Sequence, residues 1–160
     1  DRDTTGLTIV AKHALAGGIL GNAVAKRAIH RTYYAVCSGC TPACMRISAP
    51  IARKDASTIE RCVDFKRGEN AVTDFIRIKY NPDNNLSLVK LRLLTGRTHQ
   101  IRVHMKYIGF PLIGDFLYNP DYTYISRQAL HSGRLVFTHP VTGQKMNLIS
   151  DIPSDMKSLF

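Results

Sequence analysis

Alternation of apolar and polar residues is the dominant pattern along this chain, and it predicts strands more often than helices. Gly6-Leu-Thr-Ile-Val-Ala-Lys12 alternates among β-favouring residues and reads as a buried strand. Arg31-Thr-Tyr-Tyr-Ala-Val-Cys37 reads as another, with Tyr33, Ala35 and Cys37 on one face and Tyr34 and Val36 on the other. Val72 to Tyr80 and Leu86 to Leu93 alternate on either side of the turn-forming Asn81-Pro-Asp-Asn-Asn85, which is a hairpin signal. In the first arm Val72, Asp74, Ile76 and Ile78 oppose Phe75. In the second, Val89, Leu91 and Leu93 oppose Leu86, Leu88, Lys90 and Arg92. Leu130 with Leu135–Thr138, and Met146–Ile149, predict two closing strands.

Two stretches change to a helical period. His13 to Ala28 is predicted helical although Gly17, Gly18 and Gly21 each weaken it by roughly 1 kcal/mol. Three glycines there imply a close neighbour or an irregular helix. Thr98 to Tyr107 is predicted as a short helix, with Ile101, Met105 and Ile108 on its apolar face and Thr98 as N-cap. Hairpins outnumber other connections, so the fold class is α+β: a mixed, largely antiparallel sheet with flanking helices.

The chain is long enough for one domain with a real core. No apolar run approaches the roughly 20 residues that span a bilayer, and the Asp1-Arg2-Asp3 opening has no leader character. Both point to a cytoplasmic protein without a membrane partner. Lys and Arg number 22 against 12 Asp and Glu, a formal charge of +10. That excess favours a polyanionic partner, most simply nucleic acid. Cys37-x-x-Cys40-x-x-x-Cys44 has a metal-like rhythm. Cys37 nevertheless falls on an apolar strand position, and no His or Cys pair follows closely, so reduced thiols are the better reading, with no metal.

Chemistry concentrates in Leu94-Thr-Gly-Arg-Thr-His-Gln-Ile-Arg-Val-His104, where Arg97, His99, Gln100, Arg102 and His104 alternate with apolar residues. Polar groups near a core need partners. Arg97 beside the free N–H groups of a helix start makes an anion pocket. Arg102 lies at the edge of the buried face, half-buried, where a guanidinium requires a carboxylate or phosphate. His99 and His104 are five residues apart and share no helix face, so structural or RNA-contacting roles suit them better than a metal pair or paired acid–base catalysis.

These stretches resemble the RluA-type pseudouridine synthases over nearly the whole chain. Asp1-Arg-Asp-Thr-Thr-Gly-Leu-Thr-Ile-Val-Ala-Lys12 resembles the end of their H-R-L-D-x-x-T-S/T-G-L-x-x-x-A-K motif. Arg31 to Gly39 resembles K/R-x-Y-x-A-x-x-x-G, Ala49 to Arg53 resembles A-P-I-x-R, and Gly68 to Phe75 resembles G-K-x-A-x-T-x-Y. Leu94–His104 with Gly109–Tyr118 is similar to L-x-T-G-R-T-H-Q-I-R-V-H…G-x-P-L-x-G-D-x-x-Y, the most specific segment. Gln128–His131 and His139-Pro140 also fit. Glu69 for Lys and Phe75 for Tyr are departures.

The resemblance implies a fold, an activity and a site. The activity is isomerisation of a specific uridine to pseudouridine in RNA, more readily ribosomal than transfer RNA, by a monomer without cofactor. Asp1 would be the catalytic aspartate, acting as nucleophile or by charge and proton transfer. Tyr33 would stack on a flipped base and offer a hydroxyl as base. Arg102 would pair with and aim Asp1. Arg97, His99, Arg31 and Lys12 would meet RNA. The family's H-R-L precedes its aspartate, so residues 1–160 are expected to be a catalytic domain without its N-terminal part, with little turnover of their own. The alternatives are a non-catalytic RNA-binding remnant of the same fold, which would not depend on Asp1, and a His-based ribonuclease, which would cleave.

Overall fold

A computed structural model describes residues 1–55 and 59–160. Nine strands and three helices follow in the order β1 (Thr5–Gly6), α1 (Ala14–Ala25), β2 (His30–Ser38), β3 (Cys44–Ser48), β4 (Ile51–Arg53), β5 (Arg61–Val63), β6 (Val72–Asn81), β7 (Leu86–Leu93), α2 (Gln100–Tyr107), β8 (Leu130–Thr138), β9 (Lys145–Ile149) and α3 (Ser154–Lys157). Seven strands form one sheet in the order β1-β8-β2-β7-β6-β3, with β9 also on β8. Among the described residues only β1 pairs in parallel. Strands β4 and β5 form a separate ribbon. The α+β architecture with a largely antiparallel sheet is therefore the one present.

The alternation in β2 and β7 places each strand's apolar residues on two opposite cores. Tyr33, Ala35, Cys37, Val89, Leu91 and Leu93 join Ile101 and Met105 of α2 on one face. Tyr34, Val36, Leu86 and Leu88 join Ile113, Ile125, Met156 and Leu159 on the other. A third cluster ties β4 to α2 through Ile51, Ala71, Val103 and Tyr118. The β6–β7 hairpin pairs as the pattern predicts, with a register shift between Arg77 and Lys79.

Four expectations are corrected. The strand read over Gly6–Lys12 is only Thr5–Gly6; Leu7 N–H still donates to Ser132 O at 2.9 Å, and the residues after it belong to no strand and are half-buried at most. The strand ends at Gly6, whose φ of +96° departs from strand geometry; a Cβ there would meet Ser132 O at 2.3 Å, so only glycine fits this close approach to β8. Helix α1 is regular and its glycines approach nothing closely; Gly18 and Gly21 have no neighbour within 4 Å of a built Cβ. Helix α2 begins at Gln100, after His99 in the left-handed region at φ 56°, and Thr98 does not cap it. Arg102 is fully buried rather than at an edge.

The thiols are free. Cys37 lies in the core, where burial pushes its pKa well up, and Cys40 and Cys44 are exposed. No group of three or more His, Cys, Asp or Glu side chains converges on a metal-sized site among the described residues. No helix among them is long and apolar enough to cross a membrane.

Candidate active site

Asp1, Tyr33, Arg97 and His99 meet where the ends of β2 and β7 run under the turn that opens α2. A cavity of about 340 Å³ is lined there by Asp1, Tyr33, Leu93, Arg97, His99 and Ile101, among others. Tyr33 and Leu93 come from adjacent strands, Ile101 from the helix, and Asp1 from the chain's start.

Gln100 holds the turn. Buried to 2 % exposure, its Oε1 accepts from the Thr95 hydroxyl at 2.8 Å and the Arg97 N–H at 2.9 Å. Its Nε2 donates to Val72 O and Thr73 Oγ1, both at 3.0 Å. One amide thus joins the turn to β6. The network continues: Thr73 Oγ1 lies 2.8 Å from His104 Nδ1, and His104 Nε2 lies 2.9 Å from Ala49 O. A carbonyl only accepts, so Nε2 carries the proton and Nδ1 receives the Thr73 O–H. Burial lowers the His104 pKa, which agrees with a neutral ring. The Arg97 N–H is therefore engaged by Gln100 and is not a free anion donor. Its guanidinium reaches Glu69 and Asn70 O.

Beneath the cavity, the Arg102 Nε and Nη2 each donate to Asp115 at 2.7 Å, a bidentate pair with both partners buried. Asp115 Oδ1 also accepts the backbone N–H groups of Leu117 and Tyr118 at 3.1 Å. Gly114, at φ +68°, sets up this loop; a Cβ there would come within 2.1 Å of Arg127 O. The guanidinium stacks over Tyr118 at 4.9 Å. Its third nitrogen, Nη1, points toward Asp1 Oδ2 at 3.8 Å. Arg102 thus approaches Asp1, but its principal partner is Asp115.

His99 takes the other side of Asp1. Its Nδ1 lies 2.9 Å from the Tyr118 hydroxyl, which accepts the Arg61 N–H at 2.9 Å. With that lone pair used, the Tyr118 O–H can donate to Nδ1, leaving Nε2–H facing Asp1 Oδ1 at 3.5 Å. Burial, then the charges of Arg102 and Arg61, push the His99 pKa down to about 4. The ring is neutral near pH 7, so its approach to Asp1 is that of an N–H donor and not an ion pair. Expected in a structural or RNA-contacting role, His99 has its ring turned inward and uncharged, facing Asp1. Burial raises the Tyr33 pKa above the ordinary tyrosine value, with Arg31 opposing, so the phenol is protonated at neutral pH.

Asp1, Tyr33, Arg97 and His99 thus line one cavity, with Arg102 beneath it. Arg31 lines a neighbouring cleft. Lys12 is exposed in the segment before α1, away from both. Asp115, Tyr118 and Gln100 carry as much of the geometry as the residues singled out from sequence. Their signal lay in the Gly-Asp-x-x-Tyr pattern at 114–118 and in Gln100 amid apolar neighbours.

The RNA pseudouridylate synthase family matches residues 1–107. An uncharacterized RNA pseudouridine synthase of Bacillus subtilis, YjbO, is 47 % identical over all of this chain and 56 % of its own length. The chain belongs to the RluA-type RNA pseudouridine synthases. A ribosomal large subunit pseudouridine synthase D of Zymomonas mobilis is 38 % identical, again over the whole chain and 53 % of its own length. Among solved structures, human RNA pseudouridylate synthase domain containing 1 superposes with a TM-score of 0.75 at 25 % identity, over 89 % of this chain and 62 % of that one. The chain spans about half the length of the curated synthases it matches. The Arg102–Asp1 approach and the Gln100-held turn lie within the segments that carry the family motifs.

Proposed function

We propose that this chain carries the centre that isomerises uridine to pseudouridine in RNA, with ribosomal RNA as substrate. The observation that carries the reading is the meeting of Asp1, Tyr33 and Arg102 at one cavity, from three places far apart in sequence that each match a family motif. Names of relatives that act on the ribosomal large subunit support the choice of RNA.

The reaction breaks the bond between C1′ and N1 of the uridine, turns the base and joins C1′ to C5; C5 gives up its proton to solvent and N1 takes one up. The target base is flipped into the cavity, out of its stack. Asp1 is the group that acts on the detached base or its ribose. Arg102 Nη1 and the neutral His99 Nε2–H aim its two oxygens, one each. Pre-aimed donors spare reorganisation during the reaction. Tyr33 supplies a ring for stacking and, being protonated, an O–H donor toward the base. Arg97 and Arg31 meet phosphates next to the target, and Lys12 meets RNA further out. The Glu69 partner of Arg97 is 70 % exposed, so that ion pair is readily exchanged for a phosphate. No cofactor is needed, and every group named comes from one copy of the chain, so a monomer suffices.

Release of tritium from RNA labelled at C5 of uridine tests the reading. We expect release by the full-length protein containing this chain, and its loss on Asp1→Asn with RNA binding retained. Binding without release by the unaltered protein would replace the synthase with a non-catalytic RNA-binding remnant.

A further inference from the structure

A second cleft, of about 550 Å³, opens beside the Asp1 cavity where the end of α1 faces the ends of β2 and β7. The two share Leu93, Gly96 and Arg97 as a common wall. Arg27, Arg31, Arg92, Arg97 and His30 line the cleft, and no Asp or Glu does. Elsewhere several guanidiniums are matched by a carboxylate: Arg46 by Asp74, Arg67 by Asp64, Arg102 by Asp115, Arg127 by Asp155. Arg27, Arg31 and Arg92 form no ion pair among the described residues. Asp74, the carboxylate that senses Arg92, is already held on both oxygens by Arg46, at 2.6 and 2.8 Å. Unpaired like charges around one concavity repel each other unless an anion enters. The remaining wall is apolar, from Val24, Ile29, Leu93 and Leu94.

We propose that this cleft holds the ribose-phosphate of the RNA nucleotides next to the target uridine, with Arg27 and Arg92 as phosphate contacts. Cations opposite apolar residues suit a nucleotide, whose phosphate is anionic and whose sugar and base edge are not. The shared wall leads the strand from the cleft into the Asp1 cavity. This rests on that cavity taking the target base. The cleft then acts before chemistry, in capturing and registering the strand.

The test uses the full-length protein and two readouts: anisotropy of a fluorescent pentauridylate over a fourfold rise in salt, and tritium release from unmodified ribosomal RNA labelled at C5 of uridine. For the double variant Arg27→Gln, Arg92→Gln, loss of two phosphate contacts lowers the salt slope by about 1.4, since each contact on a single strand contributes about 0.7. The unaltered protein then loses about 7-fold more affinity than the variant across that salt range. The variant's loss of turnover falls on KM and not on kcat. Arg27→Lys with Arg92→Lys keeps the slope, which separates charge from fold; both arginines are exposed. An unchanged slope with unchanged KM overturns the proposal, as does a fall confined to kcat. Asp1→Asn keeps the full slope. If the double variant shows the slope change but the unaltered protein never releases tritium, the cleft stands and the catalytic reading fails.

Discussion

Helices α1 and α2 invert the usual relation between composition and burial. Helix α1, Ala-Leu-Ala-Gly-Gly-Ile-Leu-Gly-Asn-Ala-Val-Ala, is apolar almost throughout, yet only Ala16 is buried, and Leu15 is 70 % exposed. Helix α2, Gln-Ile-Arg-Val-His-Met-Lys-Tyr, is half polar, yet six of its eight residues are buried. The difference lies in partners. Gln100, Arg102 and His104 each reach fixed acceptors or donors on β6, on the loop before β4 and on the loop at 114–118. A buried polar network that is fully satisfied fixes one arrangement and rejects others. Helix α1 buries too little to be fixed so firmly. The polar helix is the one held by partners, and it borders the candidate site.

Breaking the α2 network at its centre has the largest effect. Arg102→Leu leaves Asp115 buried without its cation, and we expect a loss of about 3–5 kcal/mol in urea unfolding. Adding Asp115→Leu recovers only part of that, because the N–H groups of Leu117 and Tyr118 lose their acceptor. Tritium release stays absent in both. A double variant that regains activity along with stability would show that Arg102 serves the fold and not Asp1.

Gln100→Ala comes next. It strips partners from Thr95, from the Arg97 N–H and from Val72 O, at a cost of roughly 1–3 kcal/mol by thermal or urea unfolding. Because the turn it releases forms a wall of the Asp1 cavity, kcat falls as well. A stability loss with kcat preserved would place the turn outside the catalytic geometry.

The two helices also mark what the sequence makes legible. In β2 and β7 a period of two predicts the facing of each residue, because both sheet faces are covered and a slip would expose an entire set. In α2 the same logic found Ile101 and Met105 but set Arg102 at an edge. Its partner Asp115 lies thirteen residues on, in a loop made possible by a left-handed Gly114. Nothing in the local pattern brings those two together. Asp1, Tyr33 and Arg102 stand out through the motifs they match, while hydropathy says nothing of their meeting. His99 shows the same limit from another side. A histidine between basic residues looks like an RNA contact, and only tertiary burial makes it an inward-facing neutral donor.

That burial gives the network an acid limit. The His99 pKa is about 4 in the folded chain against about 6.5 when unfolded, so between these values the unfolded state binds more protons. Stability is fully present above about pH 6.5, declines as pH falls toward 4, and levels below it. His104 is shifted in the same direction by burial. We expect His99 to account for about 1–3 kcal/mol of the loss between neutral pH and pH 4, after allowing for partial solvation. Urea titrations across that range check it: His99→Gln flattens the profile. An equally steep profile in that variant would mean that His99 is solvated in solution and does not face Asp1.

The smallest effect comes from α1, and its sign is informative. Gly18→Ala adds a methyl group where no atom lies within 4 Å, so no packing opposes it. Removing a helical glycine narrows the unfolded ensemble and favours the helix by about 0.5–1 kcal/mol. Thermal unfolding should therefore rise by a few degrees, roughly the shift such an increment produces in a domain of this size. Gly114→Ala, at a left-handed position against Arg127 O, should move the midpoint the other way and by more. If Gly18→Ala leaves the global midpoint unchanged but slows amide exchange within α1, the helix opens independently of the sheet and adds little to global stability. If it lowers the midpoint in the full-length protein, another part of that protein packs closely on the glycine face, and the exposed apolar character of α1 belongs to an interface after all.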